Sequence, residues 1–180
     1  MGGDGSALRT IKSLRYTYKV PVLGISTGLP GFFTEPKMHD ADMIRILREE
    51  DYNLLEYRTI QTLAETEDGI HETDPAVNDV MIRCKGSRMI HLNLYVGDTL
   101  IEHFSGDGLL ISTAAGSTAY NYSLGGSIVD QRLALLQVTP AASANNTVYR
   151  NFTSGIVLPG QLLRPTANAL EVGVCNCPVV

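Results

Sequence analysis

Beyond about residue 52 the chain alternates apolar and polar residues with the two-residue period of a half-buried β-strand. The clearest stretch is 90–96, in which Ile, Leu, Leu and Val alternate with His, Asn and Tyr. Gly97-Asp98 follows as a hairpin turn into a strand at 99–104. The sequence therefore predicts a β-rich domain over 52–180. Its other predicted strands lie at 55–63, 109–113, 155–158 and 169–174, and one short helix lies at 117–124.

The first fifty residues have a different pattern, that of helices joined by a short buried strand. The apolar residues of 6–18 fall on one stripe of a helix, and a second helix is predicted at 40–50. Between them, the segment 19–25 (KVPVLGI) is typical of a short buried strand. Because a helix that leads into a buried strand is an α/β pattern, residues 1–51 are predicted to form a small α/β domain.

The distribution of charge excludes some classes of partner. The 180 residues carry a formal net charge of −5, and 13 of the 19 acidic residues lie between Glu35 and Asp79. Binding to a phosphate backbone needs clustered Lys and Arg, so neither nucleic acid nor an anionic membrane is expected as a partner. There is no signal-peptide pattern, no apolar run of membrane length and no disulfide framework among three cysteines. We therefore expect a cytoplasmic protein.

The first predicted helix is directly preceded by the glycine-rich segment Gly2-Gly3-Asp4-Gly5-Ser6. Glycines let backbone N–H groups approach phosphate oxygens, and the N-terminus of a helix favours an anion. Ser6 is the expected N-cap. The acid needs a separate role, because a carboxylate beside phosphates is repelled unless it binds a metal or accepts a proton. The segment is either a phosphate loop or a flexible N-terminus.

A strand, a turn of small residues and a hydroxyl-rich helix start follow one another at 113–126 (TAAGSTAYNYSLGG). Exposed N–H groups and hydroxyls in such a turn could hold ribose or amide groups, and Tyr120 offers a ring face to a base. The same small residues could equally serve to pack a helix closely on a sheet. The residues of this segment alone leave both interpretations open.

Two smaller features are polar residues placed at strands. Asn78 and Asp79 form a polar pair inside an apolar strand, and a buried pair needs partners, either ligand hydroxyls or the protein backbone. Gly106-Asp107-Gly108 precedes a strand and is predicted as a turn with a solvated Asp. No metal site is predicted, because the four histidines lack metal-ligand spacing and Cys175-x-Cys177 lacks further ligands.

Taken in this order, these features resemble the NAD kinase family. Members of that family carry GGDG, then a segment like GIN-x-G-x-LGF, an Asn-Glu pair, and a block of the form DG…TAY…S-x-GG. The corresponding segments here are GGDG at 2–5, GISTGLPGFF at 24–33, Asn78-Asp79, and 107–126. The resemblance implies an α/β + β fold, in which a partial Rossmann-like α/β segment precedes a β-rich, sandwich-like domain. It also implies a homo-oligomer, either a dimer or a tetramer.

The resemblance further implies an activity. The γ-phosphate of ATP, or of polyphosphate, moves to the 2′-hydroxyl of the adenosine ribose of NAD to give NADP, and Mg²⁺ is the divalent cation. Asp4 matches the catalytic acid that would orient or deprotonate this hydroxyl. Phe32 matches an aromatic residue near the dinucleotide, and the pair Asn78-Asp79 matches one that holds ribose hydroxyls or the base. The phosphates would find room at Gly2, Gly3 and Gly5, and the second nucleoside half would be lined by Asp107, Thr118, Ala119, Tyr120 and Ser123.

The sequence departs from the family pattern at several positions. Ser26 stands where Asn is common, Pro30 changes the spacing, and Ala114-Ala115 replace Pro-Thr or Pro-Ser. Asp79 replaces Glu, which shortens its reach by one methylene. In the family GGDG follows a strand and the chain continues past the equivalent of residue 180, so the resemblance implies a fragment truncated at both ends. Such a fragment is expected to be a poor enzyme by itself, because its phosphate loop lacks the preceding strand.

Three other interpretations share part of the pattern. Lipid kinases of the diacylglycerol or sphingosine type carry GGDG, and phosphofructokinase carries GGDGS, but neither explains TAY…S…GG. A non-catalytic module that binds a dinucleotide without phosphate transfer is the third interpretation, and the intact Asp4 argues against it.

Overall fold

The computed structural model describes residues 2–14, 21–29, 31–66, 68–84, 86, 88–159, 163–167 and 170–179. The chain divides into two units: Met1–Glu56 with Val179–Val180, and Tyr57–Pro178. This division falls at residues 56 and 57, whereas the sequence analysis places a boundary at 51 and 52. The functions assigned there to the domains 1–51 and 52–180 stay predictions.

In the first unit, α1 (Asp4–Ser13) begins directly after Gly3, which is its N-cap and has an extended conformation. The expectation that Ser6 caps this helix is wrong. Its N–H already donates to the Gly3 carbonyl (2.9 Å) within the first turn. The carboxylate of Asp4 lies in that turn, where the helix dipole favours a negative charge. Residues 15–18 of the predicted helix lie outside the described residues.

The second predicted helix is confirmed to within one residue. It is α2 (Asp40–Glu49), and it ends at Glu50, whose left-handed conformation (φ 54°) is typical of helix C-termini. The strand predicted at 19–25 is wrong over its described part, where Ile25 alone forms an isolated parallel bridge, with Glu35. Pro21 cannot donate to a strand partner, and residues 21–23 are exposed. Residues 19 and 20 lie outside the described residues.

In the second unit, the described residues form nine strands of one hydrogen-bonded sheet. The strands are β1 (Tyr57–Thr66), β2 (Gly69–Glu72), β3 (Asp79–Arg83), β4 (Ile90–Val96), β5 (Thr99–Thr113), β6 (Leu135–Ser143), β7 (Ile156–Pro159), β8 (Leu163–Ala167) and β9 (Leu170–Val179). Their order is β2-β1-β9-β8-β4-β5-β6-β7, and β3 pairs with β5 off this path. The predicted short helix consists of a 3₁₀ helix, Ala115–Thr118, followed by α3 (Tyr120–Ser123). None of the helices that the structure describes is long and apolar enough to cross a membrane.

The longest strand, β5, replaces two predicted strands and the turn predicted between them at Asp107. It runs unbroken, pairing with β4 along its first half and with β3 along its second. Its two glycines meet neighbouring backbone instead of forming a turn. A Cβ at Gly106 would lie 2.9 Å from the Ala142 carbonyl oxygen, and a Cβ at Gly108 would lie 2.7 Å from that of Ile82. Glycine therefore permits close strand packing here.

The alternating pattern places the core on one face of β4 as predicted. Leu92 and Leu94 are buried, whereas His91 is exposed on the other face. They pack with Ile60, Ile82, Phe104, Leu109, Ile111, Leu136 and Val138. Each fully buried apolar side chain contributes about 1.5–3 kcal/mol. The two helices of the first unit, both wholly within the described residues, contain no fully buried side chain.

Candidate functional site

Asp4, the first residue of α1, directs its carboxylate at the backbone of the loop 31–34. Its Oδ2 accepts a hydrogen bond from the Phe32 N–H (2.8 Å), and its Oδ1 accepts one from the Phe33 N–H (3.0 Å). The Thr34 hydroxyl also donates to Oδ1, at 3.4 Å, and accepts from the Gly31 N–H at 3.0 Å. These contacts hold the predicted catalytic acid in one orientation, through backbone donors that are distant in sequence.

The loop can approach this carboxylate because position 31 has no side chain. A Cβ at Gly31 would lie 2.1 Å from Asp4 Oδ1. Ser26, which replaces the more common Asn, shapes the start of the loop. Its hydroxyl donates to the Leu29 carbonyl (2.7 Å) and accepts from the Gly28 N–H (3.1 Å). Pro30, the other departure in this segment, lies outside the described residues.

The predicted glycines surround the start of α1. Gly2 donates its N–H to the Ile25 carbonyl (3.0 Å) and has a φ of 152°, which L side chains rarely adopt. At Gly3 and Gly5, apart from the adjoining residues and the helix backbone, no atom lies within 4 Å of the position that a Cβ would take. The neighbouring Phe32 is 65% exposed. The first unit therefore brings together an oriented carboxylate, open space at a helix N-terminus and an exposed aromatic ring.

In the second unit, the turn at 115–118 rests on the backbone of Asn78. The Thr113 N–H donates to the Asn78 carbonyl (2.9 Å), and the Thr113 hydroxyl donates to the Val77 carbonyl (2.6 Å). A Cβ at Gly116 would lie 2.1 Å from the Asn78 carbonyl oxygen, so glycine is what permits this approach. Two segments of the predicted site, the polar pair and the TAAGSTAY block, are thereby brought together. Within the block, Ala114 and Ala115 are buried.

The side chains of the polar pair lie in partly buried surroundings. Asn78 Oδ1 is buried and has no hydrogen-bond partner among the described residues. Asp79 lies opposite Ser112 in the β3–β5 register, and burial raises the pKa of its carboxyl above the ordinary value. Leaving a buried amide oxygen unpaired is costly, and a ligand hydroxyl or amine would satisfy it. The sequence left two partners open for Asn78, ligand hydroxyls or the protein backbone, and the unpaired side-chain oxygen favours a ligand.

Four predicted residues form a row along the 3₁₀ helix and α3. Tyr120 is 48% exposed and Ser123 is exposed, whereas Thr118 and Ala119 are half-buried. Asp107 is exposed on β5, and among the described residues no hydrogen bond or ion pair joins it to this row. The predicted residues 118–123 thus follow directly on the turn that contacts Asn78, whereas Asp107 lies on β5.

The sequence analysis missed the residues that support this row from beneath. Asn121 is fully buried; its Oδ1 accepts from the Thr139 hydroxyl (2.6 Å), and its Nδ2 donates to the Ser117 and Ser127 carbonyls (3.4 Å each). Gln137, also fully buried, accepts from the Ser127 N–H (3.1 Å) and donates to its carbonyl (2.9 Å). The available signal was the pair Gln137 and Thr139, two polar residues two positions apart among the apolar residues of β6, a spacing that places both on one face.

Two histidines of the sheet, one on β4 and one on β5, pair with a polar side chain of the neighbouring strand. A ring nitrogen of His91 lies 2.9 Å from the Ser105 hydroxyl, and one of His103 lies 2.6 Å from the Asn93 side-chain oxygen. Within the described ranges, no group of three or more His, Cys, Asp or Glu side chains is placed to hold a metal ion.

Comparison with known proteins supports one family over both parts of the chain. The ATP-NAD kinase N-terminal domain matches residues 1–49, and the ATP-NAD kinase C-terminal domain matches 77–149. The NAD kinases of Finegoldia magna and Lactobacillus acidophilus are each 36% identical to this chain. The matches cover 89% and 94% of it, and 59% and 64% of those relatives. The chain thus spans about three fifths of the length of the curated relatives that it matches.

Two solved structures share the fold. Yeast NADH kinase, complexed with NADH, has a TM-score of 0.79 at 20% identity, over 97% of this chain and 56% of its own. An NAD kinase from Archaeoglobus fulgidus, in complex with ATP, has a TM-score of 0.73 at 21% identity, over 99% of this chain and 74% of its own. The predicted fold class, an α/β part followed by a β-rich domain, is confirmed. The chain belongs to the NAD kinase family.

Proposed function

We propose that this chain carries the catalytic site of an NAD kinase, which transfers the γ-phosphate of ATP to the 2′-hydroxyl of the adenosine ribose of NAD. The observation that carries the proposal is the Asp4 carboxylate, held at the start of α1 by the loop 31–34 in a member of this family. ATP as donor is supported by the relative solved with ATP, and a dinucleotide acceptor by the relative solved with NADH. Polyphosphate is the second donor to be tested.

The phosphate transfer needs a base that removes the proton of the ribose hydroxyl. A ribose hydroxyl is a weak nucleophile at neutral pH, so Asp4 would take its proton as the 2′-oxygen bonds to the γ-phosphorus. The bond between the γ-phosphorus and the β–γ bridging oxygen breaks, and ADP leaves. Backbone N–H groups at the start of α1 would receive phosphate oxygens in the open space beside Gly3 and Gly5. The open space at Gly3 and Gly5 supports their predicted role. At Gly2 a Cβ would lie 2.6 Å from the Ser6 hydroxyl oxygen, and the role of this residue stays a prediction.

The second unit would bind the nucleoside parts of the ligands. Tyr120 would stack on a base, and Asn78 Oδ1 would accept a hydrogen bond from a ribose hydroxyl or a base amine. Partly buried Asp79 would act beside it, as the family pattern implies. Further contacts are proposed for Phe32, Asp107, Thr118, Ala119 and Ser123.

A divalent cation, Mg²⁺, fits this arrangement when the substrates supply most of its ligands. Mg²⁺ in kinases is held by one or two carboxylates together with phosphates and water. The described residues offer no cluster of three or more ligating side chains, and the loop 31–34 occupies three acceptor sites of the Asp4 carboxylate, so phosphate oxygens and water would be the ion's ligands. The ion would supply neutralisation of phosphate charge. We also propose a cytoplasmic homo-oligomer, either a dimer or a tetramer, which light scattering of the full-length protein would test.

The test of the proposed function is the choice of acceptor. Full-length protein is supplied with Mg²⁺ and with ATP or polyphosphate, and NAD, diacylglycerol and fructose 6-phosphate are assayed in parallel. We expect NADP from NAD and no product from the other two. Phosphorylation of the lipid without NADP formation would move the function to the lipid kinases, and tight NAD binding without any turnover would favour the non-catalytic module.

A further inference from the structure

We infer that the loop 31–34 is a carboxylate clamp that selects which oxygen of Asp4 acts, and that Thr34 is its positioning residue; this inference rests on the proposed function. A carboxylate offers about four acceptor sites, two on each oxygen. Oδ1 uses both of its sites, for the Phe33 N–H and the Thr34 hydroxyl, whereas Oδ2 uses one, for the Phe32 N–H. The remaining site is on Oδ2, so Oδ2 receives the 2′-hydroxyl of the acceptor ribose.

Thr34 closes the clamp because its one hydroxyl bonds both to the carboxylate and to the first residue of the loop. It donates to Asp4 Oδ1 and accepts from the Gly31 N–H (3.0 Å), and its side chain is buried. Gly31 must then lie against the carboxylate, which only a residue without a Cβ can do. Valine at position 34 would keep the shape of threonine while removing both hydrogen bonds.

The clamp also joins the carboxylate to a ring that is free to meet a ligand. The Phe32 N–H holds Oδ2 at 2.8 Å, and the ring of the same residue is 65% exposed. A base that contacts this ring therefore contacts the same residue whose N–H holds Oδ2, the oxygen that receives the hydroxyl. The same short loop seats the dinucleotide and orients Asp4.

The kinetic test compares Thr34→Val with Thr34→Ser in the full-length protein, with Thr10→Val as the matched control. Thr10 also carries a hydroxyl bonded within the first unit, to the Ser6 carbonyl, but it lies on the exposed side of α1. We expect Thr34→Val to lower kcat by roughly 10- to 100-fold, the effect of one hydrogen bond to a charged group. KM for NAD should change by less than about threefold, because ground-state binding is retained. Thr34→Ser should restore kcat, and Thr10→Val should leave it unchanged.

The outcomes that overturn the inference are equally definite. Wild-type kcat in Thr34→Val, or no recovery in Thr34→Ser, would show that the hydroxyl does not position Asp4. A rise in KM with an unchanged kcat would assign Thr34 to substrate binding instead. If Thr34→Val does not fold, the comparison of Thr34→Ser with a second variant, Thr34→Ala, applies the same criterion.

A measurement without substrate separates the clamp from the proposed function. In ¹⁵N-labelled protein, Asp4→Asn should shift the amide signals of Phe32 and Phe33, because each loses a charged acceptor. Thr34→Val should shift them less, and Thr10→Val should leave them in place. Unmoved signals in Asp4→Asn would overturn the clamp even if NADP is formed. Shifted signals with no NADP from the wild type would leave the clamp intact and reject the kinase.

Discussion

The two units present their functional residues on different kinds of support. In the first, Asp4 is held by a loop against a helix that buries no residue completely. In the second, the row on the 3₁₀ helix and α3 lies over fully buried Asn121 and Gln137, next to the apolar core of the sheet. Both use a glycine pressed against a functional residue, and in both a Cβ would lie 2.1 Å from its nearest atom.

The difference lies in what that Cβ would meet. At Gly31 it meets the end of the Asp4 side chain, which can rotate away. At Gly116 it meets the Asn78 backbone, whose carbonyl accepts a hydrogen bond from the Thr113 N–H of β5. A packed backbone cannot yield without loss of its hydrogen bonds. A Cβ added at Gly31 should therefore lower kcat, and a Cβ added at Gly116 should lower the free energy of unfolding.

The largest effect is expected for Asp4→Asn, measured as NADP formation by full-length protein. Removing a general base typically costs about 10²–10⁴-fold in rate. The amide also presents one acceptor oxygen to two N–H groups, so the loop 31–34 loosens as well. Because these contacts are part-exposed, the unfolding midpoint should hardly move. Asp51→Asn, an exposed position, is the control, and a variant that keeps wild-type turnover would place the chemistry elsewhere.

Gly31→Ala should separate turnover from stability. The added Cβ pushes the Asp4 carboxylate out of the clamp, and a misplacement of about 1 Å can cost about 100-fold in rate. The free energy of unfolding should change little, because the displaced group is the end of a side chain. Gly28→Ala is the matched control, since nothing lies within 4 Å of its Cβ position. Equal kcat values for the two variants would contradict the proposed orientation of Asp4.

Gly116→Ala should show the reverse. Its Cβ would meet the Asn78 carbonyl, and overpacking of this kind typically costs about 1–3 kcal/mol. Urea unfolding of the full-length protein measures the loss, again against Gly28→Ala. If Gly116→Ala is as stable as the wild type, the turn can shift away from Asn78. The backbone at Gly116 would then yield to an added Cβ as easily as the Asp4 side chain does at Gly31.

Tyr120→Ala should weaken dinucleotide binding without unfolding the protein. A base stacked on an aromatic ring is worth about 1–3 kcal/mol, and the ring is already half exposed. The control is Tyr122→Ala, two residues along α3 and 61% exposed. Calorimetric titration with NAD should give a raised Kd for the first variant and a smaller change for the second. Equal Kd values for Tyr120→Ala and the wild type would remove Tyr120 from the site.

The sequence predicts the elements whose burial follows a local period. The alternation in β4 reports burial on one face, so its strand and core residues are correct. The unbroken β5 was missed because the crowding at Gly106 and Gly108 comes from β6 and β3, which are distant in the chain. Such contacts leave no trace in the local pattern, and glycine there reads as a turn.

In the candidate site, too, local sequence identifies some residues, and others are brought in from distant parts of the chain. The family motifs name Asp4, Asn78 and Tyr120 as single residues. Tyr120 lies in the predicted short helix, whereas Asp4, predicted to precede the first helix, is the first residue of α1, and Asn78, predicted inside a strand, precedes β3. The clamp around Asp4 was not foreseen, because Thr34 meets it across 30 residues of chain. The buried Asn121 and Thr139 are likewise separated by 18 residues. Motifs thus identify the reacting groups, whereas the groups that orient them emerge only from the folded chain.

The smallest effect concerns Asp79, a proposed binding residue of the second unit, because burial raises the pKa of its carboxyl. A carboxyl that is harder to ionise when folded favours the folded state while protonated. Its contribution is therefore fully present below the unfolded-state pKa of 3.8, and is lost as the pH rises through the higher folded-state value. At neutral pH the ionised group opposes folding.

Asp79→Asn should remove this dependence, since an amide does not titrate. Urea midpoints of the wild type and the variant, measured from pH 4 to 7, should differ most at pH 7, with the variant the more stable. The control is Asp68→Asn, an exposed residue of the same unit, and its midpoints should follow those of the wild type. Parallel curves for Asp79→Asn and the wild type would mean that Asp79 is as well hydrated as an exposed acid. The partly buried surroundings of Asp79 would then be open to water, and the second unit would hold its functional residues less firmly than the comparison of the two units implies.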